Sequence, residues 1–363
     1  MKLQVTQENL AKALNNVARI AMSNKNPLPI LNNVLLKTID NRLSISATNL
    51  EIAITEKIGS KVHSEGAITV PARLMQEYVS SLPSGVLDLE LDEHKLHIST
   101  DQYRSTINGV IADEFPVVPE INNGTQWNIP AKECKGLQQV VFAASSDETR
   151  PVLTGVFLHS INNGLFAAAT DSYRLAEKKL IKSDQKISLL VPASALQELL
   201  RILPDNLESV EVCADSQQVL FKAGDIELVT KLIDATYPDY KKLIPSKFTT
   251  SAIVDRDEFI TITKVSSLFA RESAGSITIK IDDSNKQISI TSIASQLGEN
   301  TSNATAEIEG SGEVTLNSRY LIDALNALNT KKVKISFNGK LEACVISSSE
   351  SPDRTYLIMP LKS

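Results

Sequence analysis

The histidine and acidic residues of this sequence are not spaced for catalysis or for metal binding. The motifs of a phosphate-binding loop, a serine nucleophile elbow and a zinc-protease helix (GxxxxGK[ST], GxSxG and HExxH) do not occur in its 363 residues. His94 and His97 are three residues apart, which places them on opposite faces of a strand. The acidic pairs are typical of turns and not of a two-metal centre; they are Asp92-Glu93, Asp147-Glu148 and Asp282-Asp283. We therefore predict no catalytic residue, no metal site and no cofactor.

The chain is built from three diverged copies of one segment, each about 120 residues long. Pro29–Leu36 aligns without a gap with Pro151–Leu158, at an offset of 122 residues that persists over most of the copy. In the fainter third copy, Gly275–Ile279 aligns with Gly155–His159. The repeat predicts three domains, over residues 1–124, 125–247 and 248–363.

Each copy opens with an amphipathic helix, in which apolar residues recur every three or four positions. A hairpin of alternating strands follows, and then come a second short helix and further strands. We predict an α+β protein of three similar domains, each with two helices packed on antiparallel sheet. The predicted helices are Thr6–Ala21, Ala72–Leu82, Pro130–Ala144, Ala193–Leu203, Asp255–Phe269 and Ser318–Leu328.

The composition is that of a globular protein, with 42% hydrophobic and 22% charged residues. We predict no signal peptide and no membrane span, because the N-terminus is polar and no apolar run approaches the required length. Cys134, Cys213 and Cys344 form no CxxC pair and are expected to be reduced thiols in the cytoplasm. The net charge of −6 disfavours tight DNA binding by phosphate neutralisation.

Similar units joined head to tail form an arc, which closes into a ring only if the rotation per unit divides the circle. Three copies are compatible with a whole ring, with half of a two-chain ring, or with a third of a larger one. The period of the sequence does not choose among these.

Several stretches of the chain resemble the bacterial β sliding clamp, the processivity subunit of DNA polymerase III. They are LPILNNVLL, TDSYRLA, the VPA before each of the first two short helices, YPDYKKLIP and the terminal YLIMPL. The resemblance covers essentially the whole chain. It implies the DNA clamp fold, in a head-to-tail homodimer whose six domains form a ring with helices lining the central hole.

The resemblance also implies function and partners. Clamps of this family encircle double-stranded DNA and tether the replicative polymerase catalytic subunit to it. They also bind the clamp loader, repair polymerases and mismatch repair proteins. A ring holds DNA by topology and needs little affinity for phosphate, so the acidic net charge is compatible with this function. The six predicted helices carry nine Lys or Arg and eight Asp or Glu, so they are less acidic than the rest of the chain.

By resemblance, a slot between the second and third domains binds short hydrophobic peptides of these partners. An apolar slot with a few polar anchors suits peptide recognition. Two positions depart from the family pattern: Tyr173 replaces a common histidine, and Pro151 follows Arg150. The alternative is that Leu153, Leu175 and Leu357 are ordinary core residues. The predicted slot residues are Arg150, Leu153, Thr170, Tyr173, Arg174, Leu175, Pro238, Leu243, Leu357 and Met359.

The resemblance places DNA contacts at Lys25 and Arg73, although both are equally compatible with surface charges. The acidic pair Asp147-Glu148 disfavours a DNA contact through its loop. The dimer contacts implied are Ser105 and Ile107 on one protomer and Leu268 and Phe269 on the other. Leu268-Phe269 is alternatively a core pair at a helix end.

Two other functions are compatible with the sequence. The chain could be a repeat-built scaffold that binds peptides and does not encircle DNA. A nuclease or nucleotidyltransferase is the third hypothesis, and it would require clustered carboxylates that the sequence does not place together.

Overall fold

A computed structural model of the chain describes residues 1–22, 28–121, 123–294, 298–350 and 353–361. The chain divides into two units. Unit 1 comprises Met1–Cys134 and Glu198–Leu232, and unit 2 comprises Lys135–Gln197 and Ile233–Ser363.

Each of the six predicted helical segments contains helix, and one of them is divided into two short helices. The helices are α1 (Gln7–Ala21), α2 (Ala72–Ser81), α3 (Ala131–Lys135), α4 (Gln138–Val141), α5 (Ala193–Ile202), α6 (Arg256–Phe269) and α7 (Ser318–Ala327). Short 3₁₀ helices cover Pro29–Asn32, Ala112–Glu114, Pro151–Leu153, Tyr240–Leu243 and Arg271–Ser273.

Strands fill most of each copy. The first copy contains β1 (Lys2–Thr6), β2 (Asn33–Ile39), β3 (Arg42–Thr48), β4 (Ile52–Gly59), β5 (Lys61–Ser64), β6 (Ala67–Pro71), β7 (Val86–Asp92), β8 (Lys95–Ser99), β9 (Arg104–Asn108) and β10 (Val110–Ile111). The second contains β11 (Thr125–Pro130), β12 (Gly155–Ile161), β13 (Gly164–Thr170), β14 (Arg174–Lys182), β15 (Ser188–Pro192), β16 (Ser209–Ala214), β17 (Gln218–Ala223) and β18 (Ile226–Lys231). The third contains β19 (Thr250–Asp255), β20 (Ser276–Asp282), β21 (Gln287–Ala294), β22 (Gly298–Glu309), β23 (Gly312–Asn317), β24 (Lys332–Phe337), β25 (Cys344–Ser348) and β26 (Arg354–Ile358).

Every strand pair among the described residues is antiparallel, and the three predicted hairpins are confirmed. In the first hairpin, Asp40 and Asn41 both have positive φ, at 50° and 59°. Asn162 and Asn163 take the same conformation in the second hairpin. Asp and Asn tolerate this left-handed region better than most residues, and two such residues in succession match the twist of a tight hairpin.

The first helix of each copy is confirmed as an element, but the second copy departs from the prediction. The four apolar residues of α1 at helical spacing (Leu10, Ala13, Leu14 and Val17) are all fully buried. In α6 the N-cap Asp255 accepts from the backbone N–H groups of Asp257 and Glu258, as its spacing predicts. The helix expected over Pro130–Ala144 is instead two short helices, α3 and α4, which flank Gly136. Glycine within a helix is destabilising and permits such an interruption.

In unit 1 the sheets have the strand orders β5-β1-β7-β8-β9 and β10-β6-β2-β3-β4-β18-β17-β16-β11. The second sheet joins two sequence copies, because β4 of the first copy pairs with β18 of the second. Ile52 lies opposite Thr230 and Ala53 opposite Val229.

In unit 2 the strand order is β15-β12-β13-β14-β26-β25-β24-β19-β22-β21-β20-β23. Here β14 of the second copy pairs with β26 of the third, with Arg174 opposite Ile358 and Leu175 opposite Leu357. The strands of the second copy are thus shared between the two units. For this reason the compact units differ from the three predicted domains, whose boundaries stay a prediction.

Among the described residues, the helices lack the combination of length and hydrophobicity that a membrane crossing requires.

Candidate peptide-binding site

Two of the predicted slot residues, Leu175 and Leu357, lie side by side in the sheet of unit 2. They face each other across β14 and β26, and each is only 2% exposed. Together with Tyr237 and Tyr240 they belong to one buried apolar cluster. Leu153 is also buried. All three leucines are therefore core residues by burial, and in a slot they would form its floor.

The segment that follows, from Tyr237 to Leu243, is anchored on this cluster by its aromatic residues. The Tyr237 ring stacks on Phe157 with 5.0 Å between ring centroids. Tyr240 is 2% exposed and is the first residue of a 3₁₀ helix that ends at Leu243. Pro238 and Leu243 remain exposed. The segment thus presents apolar side chains to solvent from a buried aromatic anchor.

A buried polar network fixes the Tyr240 hydroxyl. The hydroxyl donates to Oε2 of Glu177 at 2.5 Å and lies 2.7 Å from Nε2 of His159. Because its one proton goes to the carboxylate, the imidazole must donate through Nε2. Lys241 forms an ion pair with the same carboxylate, and its Nζ lies 4.7 Å from the centre of the Phe166 ring. The site prediction missed this network, although Tyr240 and Lys241 stand within the YPDYKKLIP stretch that marked the resemblance.

Tyr173 and Met359 contribute exposed side chains beside the floor. Tyr173 is 59% exposed and Met359 is 38% exposed. The N–H of Met359 donates to the carbonyl of Tyr173 at 2.8 Å, so the two backbones are held together. Tyrosine in place of histidine at position 173 therefore changes a side chain that is open to a ligand.

The turn before Tyr173 is held by side-chain hydrogen bonds. Thr170 Oγ1 donates to the carbonyl of Arg174 at 2.6 Å and accepts from the N–H of Ser172. Asp171 Oδ1 accepts from the N–H groups of both Tyr173 and Arg174. Thr170 is buried, so its place in the predicted slot is that of a support.

Arg174 is occupied by contacts inside unit 2. Its guanidinium donates to Asp171, to Asp323 at 2.6 Å and to the carbonyl of Phe142 at 2.8 Å. It also lies over the Tyr320 ring, 4.6 Å from the centroid. These contacts use three of the five N–H donors of the guanidinium, one on each nitrogen, so Arg174 ties several elements of unit 2 together.

Arg150 and the acidic loop before it are linked. The Arg150 guanidinium donates to Asp147 at 3.1 Å and to the hydroxyl of Ser172 at 3.1 Å. Hydrogen bonds from Thr149, supported by Arg150, hold the pKa of the Asp147 carboxyl below its usual range.

Pro151, the second departure from the family pattern, opens the 3₁₀ helix Pro151–Leu153. The missing N–H of proline is tolerated at this position, so the local backbone accommodates Pro151.

Of the two predicted DNA contacts, Lys25 lies outside the described residues. Arg73 is the second residue of α2 and is exposed. Its side chain makes no ion pair or hydrogen bond within the described part of the chain.

The predicted dimer residues differ in exposure. Ser105 and Ile107 lie on β9, the last strand of its sheet order. Ile107 is 4% exposed and faces Leu96 of β8, so its side chain belongs to the core of unit 1. Leu268 is 51% exposed at the end of α6, and Phe269 beside it is half-buried.

A cavity of about 510 Å³ lies in unit 1 and is lined by residues of β11, β16 and β17. None of the predicted site residues lines it. Across the described residues, His, Cys, Asp and Glu side chains form no group of three or more that would hold a metal ion.

Comparison with known proteins finds three family models in succession along the chain. They describe the N-terminal, central and C-terminal domains of the DNA polymerase III beta subunit and match residues 1–119, 128–239 and 241–362. The beta sliding clamp of Synechococcus elongatus is 33% identical and is covered over 99% of its length by all of this chain.

The chain is also similar to solved structures of sliding clamps. The DNA polymerase sliding clamp of Bacillus subtilis has a TM-score of 0.95 and 30% identity, covering 100% of this chain and 99% of its own. The beta sliding clamp of C. crescentus, solved with PEG bound to a putative beta-motif tethering region, has a TM-score of 0.93 and 27% identity, with 100% and 99% coverage.

We expect the contribution of His159 to stability to be lost in acid. Burial holds the pKa of its imidazole below the usual value; Glu177 opposes this shift and Lys241 adds to it. A group whose pKa is lowered by folding stabilises the fold above its unfolded pKa, about 6.5 for histidine, and loses this effect as the pH falls through the folded value. The difference in free energy of unfolding between the wild type and His159→Gln, measured by urea denaturation, should shrink between about pH 7.5 and about pH 5. A difference that stays constant over this range would contradict the expectation.

Proposed function

Because the chain belongs to the DNA polymerase III beta subunit family, the beta sliding clamps, we propose that it encircles duplex DNA and confers processivity on the replicative polymerase. The observation that carries this function is the succession of three family models along the whole chain. Members of this family are non-catalytic processivity factors, so the chain is not an enzyme. The hypothesis of a nuclease or nucleotidyltransferase is therefore rejected. A cytoplasmic location and the docking of the clamp loader and of repair proteins belong to the same proposal.

Within the chain, neighbouring copies are joined twice by an antiparallel strand pair, which we call a joint. Ring closure requires a third joint of the same kind. Strands β4, β14 and β22 are equivalent in the three copies, and so are β9, β18 and β26. Two equivalent joints, β4 with β18 and β14 with β26, are present within the chain. Among the described strands, the outer side of β9 and the side of Gly298–Thr305 away from β21 have no partner. We infer that β22 of one protomer pairs with β9 of the other.

The repeat also predicts the register of this joint. Ile52 and Arg174 are equivalent first residues of their strands, and Gly298 takes that place in β22. Their partners Thr230 and Ile358 are equivalent to Ile107, through matching positions in the flanking strands. Gly298 should therefore lie opposite Ile107 of the partner. The next pairs are Glu299 with Thr106, Asn300 with Ser105, and Thr301 with Arg104.

This register refines the predicted dimer contacts. Ser105 and Ile107 contribute backbone to the joint, while the exposed Thr106 and Arg104 point to the opposite face. Arg104 would lie diagonal to Glu299, within reach of a long side chain across antiparallel strands. A head-to-tail dimer contains two such joints and leaves neither β9 nor the Gly298–Thr305 part of β22 unpaired on that side.

The DNA-facing charge is modest. The helices carry several basic residues that are already paired: Arg19 and Arg201 both contact Glu198, and Arg256 contacts Asp257. Other helix residues are exposed and make no ion pair or side-chain hydrogen bond to described residues; they are Lys12, Arg73, Lys132, Lys264 and Arg319. A small set of free cations suits weak, mobile contact with phosphates.

We propose that the site in unit 2 binds the docking peptide of the polymerase catalytic subunit, with Leu175 and Leu357 as the floor. The exposed apolar side chains of Leu243, Met359 and Tyr173 would cover the peptide. The C. crescentus clamp binds PEG at a putative beta-motif tethering region, which supports a tethering site in this family.

The clamp is expected to remain on closed circular DNA and to leave linear DNA. After loading by its clamp loader on nicked circular plasmid, the protein should co-elute with the DNA in gel filtration. Cutting the plasmid once should release it, because enclosure and not phosphate affinity retains it. Equal loss from circular and linear DNA would instead favour the scaffold that never encircles DNA.

A cysteine pair should test the register of the joint. Glu299→Cys combined with Thr106→Cys is expected to form an interprotomer disulfide, since directly opposed residues lie about 4.5–5.5 Å apart. The product is a covalent dimer on non-reducing gels. The native cysteines are buried, and burial raises the pKa of the Cys134 thiol to about 12, which limits competing reactions.

The matched control is Glu299→Cys combined with Asn108→Cys, two residues along the same exposed face of β9. Its diagonal spacing of about 7–8 Å is too long for a disulfide. Cross-linking of the control pair in preference to the first pair would show that the register is wrong.

The exposed slot residues should matter for polymerase binding and not for folding. Leu243→Ala and Met359→Ala are each expected to weaken binding of the polymerase catalytic subunit about tenfold, measured by surface plasmon resonance. Each substitution removes an apolar side chain that the bound peptide would bury. Ile161→Ala is the control, because it truncates an exposed apolar residue at the far end of the β12–β13 hairpin. Removal of residues from Tyr356 onward would be a poorer test, since it deletes most of β26 and the fully buried Tyr356. Unchanged affinity in both slot variants would reject the slot.

A further inference from the structure

We infer that Tyr240, His159 and Glu177 are positioning residues for the peptide slot: their buried hydrogen-bond network sets where Pro238 and Leu243 lie. This inference rests on the slot proposed above and names residues that act on it without touching the peptide.

The network joins three elements on one face of the sheet in unit 2. His159 is on β12, Glu177 is on β14, and Tyr240 begins the 3₁₀ helix. Glu177 lies two residues from Leu175 on the same strand, so both side chains point to the same face. The floor of the slot and the anchor of its wall are therefore on one continuous surface.

Burial makes the geometry of this network demanding. His159 and Glu177 are each 7% exposed, and Tyr240 is 2% exposed. A buried carboxylate or imidazole that loses its partner is strongly unfavourable, whereas a shifted apolar contact is not. The hydroxyl of Tyr240 is consequently held to one position between the other two groups.

The position of Tyr240 is transmitted to Leu243 by a single turn of backbone. The N–H of Tyr240 donates to the carbonyl of Pro238 at 2.8 Å, and the N–H of Ile244 donates to the carbonyl of Lys241. Leu243 itself is 54% exposed, so its own packing cannot fix it. Its place depends on the turn, which is anchored by the buried Tyr240 at its start and by Ile244, which packs against the same cluster, just after its end.

The deciding experiment is a double-mutant cycle on binding of the purified polymerase catalytic subunit, measured by surface plasmon resonance. Tyr240→Phe keeps the ring and removes the hydroxyl, and should weaken binding about threefold to tenfold. In the background of Leu243→Ala the same substitution should have little further effect, because the side chain it positions is gone. His159→Ala should behave like Tyr240→Phe.

Tyr356→Phe is the matched control. The Tyr356 hydroxyl is buried in the same unit and makes no hydrogen bond to described residues, so its removal should leave affinity unchanged. Full additivity of Tyr240→Phe and Leu243→Ala, or no effect of Tyr240→Phe beside a clear effect of Leu243→Ala, would overturn the inference. The inference also fails if Leu243→Ala leaves affinity unchanged while Met359→Ala weakens binding; if neither substitution weakens binding, it is the proposed slot that fails.

Discussion

Antiparallel backbone pairing between sequence copies is the interaction on which the rest of this structure depends. The joint of β4 with β18 and the joint of β14 with β26 have the same register, with equivalent residues opposite one another. Backbone hydrogen bonds do not depend on side-chain identity, so the copies can diverge widely in sequence while the joint is kept. The same property allows a third, intermolecular joint of equal geometry, on which the proposed ring depends.

The repeat and the amphipathic periods predict most of the fold. Hairpins such as the one through Asp40 and Asn41 pair strands that are adjacent in sequence, and their turn residues predict them. The pairing of β14 with β26 joins residues far apart in sequence, and no local pattern encodes it. The break between α3 and α4 was missed because apolar spacing continues across Gly136, although glycine there weakens the helix.

The proposed slot could be predicted only in part from the sequence. Family resemblance supplied Leu243 and Met359, whose exposure agrees with a binding surface. It could not supply the burial that makes Thr170 a support and places Leu175 in the floor, or the internal contacts of Arg174. The polar network around Tyr240 escaped notice because His159 and Glu177 carry no motif. Their roles arise from three-dimensional contact between strands that the sequence does not place together.

The two joints within the chain also explain why a peptide site is proposed at only one of them. The supporting turn is duplicated: Thr48 Oγ1 donates to the carbonyl of Ile52 just as Thr170 donates to that of Arg174. The backbone bond from Met359 to Tyr173 recurs between Lys231 and Glu51. The exposed side chains of these paired residues differ. They are Tyr173 and Met359 in unit 2, but the oppositely charged Glu51 and Lys231 in unit 1. Hydrated charges resist the desolvation that an apolar peptide would impose, whereas methionine and tyrosine accept it. The shared backbone thus builds the joint, and the few side chains that reach solvent decide whether the joint can also bind a partner.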